Sequence, residues 1–155
     1  MNNKCIYYVE GPCEQHLVDA LKEEPAKLIP GKVKVSNVIL MFDTDVEQTS
    51  ILKKNLELLN RYCGKLHIVF LPQVLNLEDE LVRCTDVKNV VELTHSCGVR
   101  NFKTDFCKLK AKDCRVMLER HGLKTENLWA TKVPEIFSFI EVNSNQVKRN
   151  QVRRN

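Results

Sequence analysis

The chain has 155 residues, 43% of them hydrophobic, so it can bury the core of one ordinary domain without disulfide or metal staples. A net charge of +4 permits a polyanionic partner without demanding one. No apolar run approaches the length of a membrane span, and the opening residues lead straight toward a short strand, so neither a membrane anchor nor a signal peptide is expected. The seven cysteines include no C-x-x-C pair and fit neither a zinc site nor a secreted disulfide framework. They read as reduced thiols of a cytoplasmic protein.

Cys5 to Val9 is a compact apolar and aromatic run of the kind found in a central strand, and it stops at Glu10-Gly11-Pro12. Pro12 suits a helix's first turn, and Cys13 to Glu23 reads as a helix with Leu17, Val18, Ala20 and Leu21 inward. Glu14 falls in its first turn, where the helix dipole favours negative charge.

Pro25, Pro30 and Gly31 break the chain, and Lys32 to Ser36 alternates as an extended strand does. From Val33 to Phe42 the sequence is one continuous β-like run, although neighbouring parallel strands need a crossover of about a dozen residues between them. Either this is one long strand, or a connecting segment around Asn37 to Ile39 is absent from the sequence. The second reading is preferred.

The run ends abruptly at Asp43-Thr44-Asp45. If the extended chain continues, both carboxylates point the same way and call for a counter-charge, which at the carboxyl end of a buried strand is usually Mg²⁺ or Mn²⁺. For an isolated Asp-x-Asp a helix-capping turn is the better reading, so the neighbours decide.

Val46, Ile51, Leu52, Leu56, Leu58 and Leu59 mark an amphipathic helix to about Tyr62, stopped by Cys63-Gly64. Leu66 to Leu71 is the next buried strand, ended by Pro72. Asn76 to Arg83 is a helix with Asn76 as N-cap and three acids in its first turn. Short helices follow over Val87 to Leu93, Asn101 to Lys110, Asp113 to His121 and Glu126 to Ala130, and Pro134 opens a last segment through Phe139. The expected organisation is an α/β core over 1–85, a helical extension over 86–142 packed on it, and a polar basic tail over 143–155.

Three acidic sets now follow three strands: Glu10 with Glu14, Asp43 with Asp45, and Glu78 with Glu80. Open parallel sheets bind ligands outside the carboxyl ends of their strands, so convergence on one site is expected. Lys103, Lys108, Lys110, Lys112 and Arg115 offer a phosphate-binding surface, with a solvated helical face an equal alternative. His67 reads as a packed histidine, the Ser96-Cys97 neighbours of His95 as structural, and Trp129 as a core anchor rather than a base-stacking platform.

Val9-Glu10-Gly11 after the first strand, the helix that follows, and the strand ending Met41-Phe42-Asp43-Thr44-Asp45 together resemble the Toprim domain. That domain is shared by bacterial primases, type IA and type II topoisomerases, OLD-type nucleases, RecR and the ribonuclease that matures small ribosomal RNA. Glu14 and Leu77-Glu78-Asp79-Glu80-Leu81 look more like the OLD-type branch, where extra acids complete a two-metal site. The likeness covers about Lys4 to Arg83; the helical C-terminal half has no counterpart, and the region before the Asp-x-Asp strand is short for the family's usual helix.

The resemblance implies a Toprim-like, Rossmann-like and mostly parallel sheet flanked by helices. It implies that Asp43 and Asp45 bind Mg²⁺ or Mn²⁺ while Glu10 binds metal or acts as general acid/base, with Glu14, Glu78 and Glu80 as further ligands. The activity it implies is a metal-dependent nuclease acting on DNA or RNA, with a separate ATPase subunit as a conjectured partner. The alternative is a Toprim-like module without catalysis, serving as a nucleic-acid-binding or protein-interaction subunit in the manner of RecR.

Overall fold

The computed structural model describes residues 5–21, 37–45, 49–62 and 67–137. Three parallel strands, β1 (Cys5–Tyr8), β2 (Asn37–Asp43) and β3 (His67–Gln73), form one sheet in the order β1-β2-β3. Helix α1 (Pro12–Leu21) follows β1, α2 (Thr49–Tyr62) follows β2 and α3 (Leu77–Cys84) follows β3. The chain is thus α/β, with a small parallel sheet flanked by helices in the Rossmann-like manner.

Alternation along β2 divides its side chains between the two faces. Ile39 and Met41 join Leu71 and the inward residues of α1 and α3 in the larger core, which continues into Phe102, Phe106, Cys114, Leu118, Leu128 and Trp129. Leu40 and Phe42 face the other way, against Leu56 and Leu52 of α2, Phe70, Val133 and Phe137. Each large apolar side chain buried in this way stabilises the fold by about 1.5–3 kcal/mol.

The helical extension packs on the α1 face through α5 (Val99–Lys108) and α6 (Ala111–Arg120), with the single turn α4 (Val91–Thr94) before them. The chain then crosses to the α2 face, where a 3₁₀ turn (Glu135–Phe137) sets Phe137 6.3 Å from the ring of Phe42.

Several expectations are corrected. Pro72 does not end β3: it pairs with Phe42 and the strand runs on to Gln73. Order explains this, because β3 is an edge strand of the described sheet and an edge tolerates a missing N–H. Glu126 to Ala130 forms turns rather than a helix, closed by Asn127 N–H to Lys124 O and Ala130 N–H to Asn127 O, with Trp129 left-handed at φ 54°. The helix expected over Val87 to Leu93 shrinks to Val91–Thr94. On α2 only Leu56 is fully buried among the expected inward positions; Ile51, Leu58 and Leu59 are exposed. Residues 33–36, the 143–155 tail and the side chain of His67 lie outside the described residues, whereas Asn37 to Ile39, around which a missing segment is expected, belong to β2 and pair in unbroken register with both neighbouring strands.

Candidate functional site

Tyr8 pairs with Leu40 and Asp43 with Gln73, so all three strands end at one rim of the sheet. Glu10 stands two residues beyond β1, and its Oε2 accepts the backbone N–H of Asp43 at 3.0 Å. Residues 33 apart in sequence are thereby locked together.

Asp43 closes β2, half-buried, and its Oδ1 accepts from Gln73 Nε2 at 2.5 Å. The chain bends at Thr44, whose N–H donates to the carbonyls of Gln73 and Leu75 and whose Oγ1 accepts from Leu75 N–H at 2.8 Å. Asp45 N–H also donates to Leu75 O. Leu75 itself is left-handed at φ 69°, a conformation costing a side-chain-bearing residue about 1–2 kcal/mol, and these bonds hold it there. The exposed Asp45 carboxylate accepts from Asn76 Nδ2 at 3.2 Å, while Asn76 Oδ1 caps α3 by accepting Asp79 N–H at 3.1 Å.

Glu14 is buried in the first turn of α1, and its Oε2 would lie 3.0 Å from a Cβ at Gly11. Glycine here leaves room for the carboxylate. Burial pushes the Asp43 carboxyl up to about 6; the Gln73 bond works against that, and the charges of Glu10, Glu14 and Asp45 add to it. Asp43 therefore feels the charges of Glu10, Glu14 and Asp45.

The third acidic set divides. Glu78 meets Lys103 Nζ of α5 at 2.8 Å, and that contact holds the lysine's proton above its ordinary range. Glu80 is fully buried; its Oε2 accepts Trp129 N–H at 3.1 Å and its Oε1 lies 3.1 Å from Arg83. Residues two apart on a helix do not share a face, which is why the pair separates. Among the basic residues, Lys108 pairs with Asp105 at 3.8 Å, and Arg115 with Glu119 at 3.7 Å while donating to Leu21 O. Lys110 and Lys112 are exposed.

Sequence reasoning missed the groups that fix the rim. Gln73 is fully buried between Asp43 and the indole of Trp129, whose Nε1 donates to Gln73 Oε1 at 3.5 Å. A polar residue ending an apolar strand is the signal that would have found it, as it found Asp43. Behind the rim, Cys13 and Cys107 bring their sulfurs to 3.0 Å; burial and the Cys107 contact, then the charges of Cys107, Glu14 and Glu78, push the Cys13 thiol up to about 12. His95 and Ser96 take structural places: His95 ends α4, and Ser96 Oγ donates to Asp105 at 2.8 Å.

The carboxylate group is rich in hard oxygen donors and short of positive charge, which suits a small divalent cation. Glu10, Asp43 and Asp45 each have one oxygen engaged by an amide donor, leaving the second as the candidate ligand atom. Among the described residues, however, no group of three or more His, Cys, Asp or Glu side chains is arranged to hold a metal ion as it stands. Comparison with protein-family models, curated proteins and solved structures gave no match to this chain.

Proposed function

We propose that the chain performs Mg²⁺-dependent phosphodiester chemistry of the Toprim type on nucleic acid, as a nuclease. The observation that carries this reading is the bond from Asp43 N–H to Glu10 Oε2, which joins acids from two strand ends at the sheet's carboxyl rim. Asp43 and Asp45 are the residues that would hold the cation, with Glu10 and Glu14 adding negative charge beside them. A bound Mg²⁺ or Mn²⁺ supplies neutralisation of charge at the phosphate and a water acidified toward neutral pH.

Each side chain then has its own part. Asp43 and Asp45 present one oxygen each while Gln73 and Asn76 occupy the other. Glu10, exposed like Asp45 but not assigned to hold the cation, is the carboxylate suited to exchange a proton at the scissile phosphate. Lys103, neutralised by Glu78 in the free protein, offers a cation to the nucleic-acid backbone.

A second reading has its own support, since no three acids among the described residues form a ready ligand group. Under it the chain is a non-catalytic, nucleic-acid-binding or protein-interaction module. Labelled single- and double-stranded DNA and RNA, incubated with Mn²⁺ or Mg²⁺, separate the two. Cleavage by the wild type and none by Asp43→Ala supports the nuclease. Cleavage equal in both refutes it, and binding without cleavage favours the module.

A further inference from the structure

Trp129 is a bulky residue held left-handed at φ 54° inside the core, a strain of about 1–3 kcal/mol that persists only where the surroundings over-determine it. Two bonds do so. Its backbone N–H is taken by the fully buried Glu80, and its indole N–H by Gln73.

Chemistry fixes the orientation of the Gln73 amide. An indole N–H can only donate and an ionised carboxylate can only accept. The reversed amide would set N–H against N–H at Trp129 and oxygen against oxygen at Asp43. Only one arrangement satisfies both neighbours, and it delivers the NH₂ group to Asp43 Oδ1 at 2.5 Å. With Gln73 fully buried and in register opposite Asp43 across the β2–β3 pair, the carboxylate is left one way to point its second oxygen.

We infer that Gln73 is a positioning residue for Asp43, held in turn by Trp129, so that the helical extension governs how well the rim binds a divalent cation. This rests on the reading of the rim as a cation site. Asp43 touches the cation in that reading, and Gln73 acts only through Asp43. The relay also gives the extension a purpose beyond burying apolar surface, since it brings to the end of β3 the indole that locks the amide.

The chain contains a single tryptophan, so one indole N–H resonance reports on this relay. The experiment is a Mg²⁺ titration of the full-length, ¹⁵N-labelled chain, with Mn²⁺ affinity measured in parallel by calorimetry. Wild type, Asp43→Ala, Gln73→Met and Trp129→Phe are compared. The indole peak is expected to move with Mg²⁺ in the wild type and to stay still in Asp43→Ala and Gln73→Met. Gln73→Met and Trp129→Phe are each expected to weaken Mn²⁺ binding about 10-fold or more, as loss of groups that orient metal ligands does. Asp43-dependent Mn²⁺ binding with an unmoved indole peak, or unweakened in folded Gln73→Met, overturns the relay alone. A wild type that binds no Mn²⁺ overturns the cation reading of the rim and the relay with it. Should Gln73→Met not fold, the wild-type indole shift still decides.

Discussion

Glu10 accepts the backbone N–H of Asp43 at 3.0 Å, which makes an exposed side chain the clamp on the end of the central strand. Its charge also acts on the Asp43 carboxyl, after burial has pushed that group up to about 6. Glu10→Gln keeps an acceptor for the N–H and removes the charge. The Asp43 carboxyl should then titrate lower than in the wild type, as followed by carbon-detected NMR of the side chain. An unchanged or higher value would mean that the two groups are not electrostatically joined.

The raised Asp43 value has a defined sign in stability. Between the unfolded value near 3.8 and about 6, the folded chain keeps a proton that the unfolded chain has released. Its contribution to stability is present below that window, falls as pH rises through it and stays reduced above. Asp43→Asn should remove this fall and raise stability at pH 7 in EDTA by on the order of 1 kcal/mol, allowing for screening at a half-exposed site. That corresponds to about 2–4 °C in Tm for a chain of this size. Melting curves of both proteins at pH 4 and pH 7 provide the check, and equal pH dependence would refute it.

Glu78 and Glu80, two residues apart, should behave differently. Glu80→Ala strips the partner from Trp129 N–H and leaves Arg83 beside an apolar gap, at a cost of about 3–5 kcal/mol in urea unfolding. Glu78→Ala breaks a contact with a largely exposed lysine and should cost under about 1 kcal/mol. Equal losses would contradict the division of roles drawn from their placement.

The thiols should label in a fixed order. Cys97 is exposed, whereas Cys13 and Cys114 are buried, with thiols pushed up to about 12 chiefly by burial. At pH 7.5 iodoacetamide should modify Cys97 at least about a hundredfold faster than Cys13 or Cys114, because the thiolate is the nucleophile. Peptide mass spectrometry against time tests this, and early modification of Cys13 would show that the α1–α5 contact opens readily.

The sheet and its rim were legible because their signals are local. The apolar run into Asp43, the Glu10-Gly11-Pro12 turn and the Asn76 cap each lie within a few residues, and the rule that parallel sheets bind at their carboxyl ends brought Glu10 and Asp43 together. What escaped depends on distant partners. Gln73 meets Trp129 across 56 residues, and although its place at a strand end marks Gln73, no local pattern pairs it with Trp129. Pro72 misled because a strand's edge position is a property of the sheet. Glu126 to Ala130 carries helix-forming residues, but bonds from Glu80 and Gln73 hold Trp129 left-handed instead. Glu80 looked like its neighbour Glu78 until α3 turned it inward.

The tuck of Phe137 against Phe42 and Leu56 bears on how the protein is made. Translation delivers β2 and α2 long before residue 137 leaves the ribosome, so one side of the nascent sheet waits without its last aromatic cover. Sticky surface is thus presented throughout synthesis of the helical half, and chaperone dependence should ease once Val133 and Phe137 have emerged.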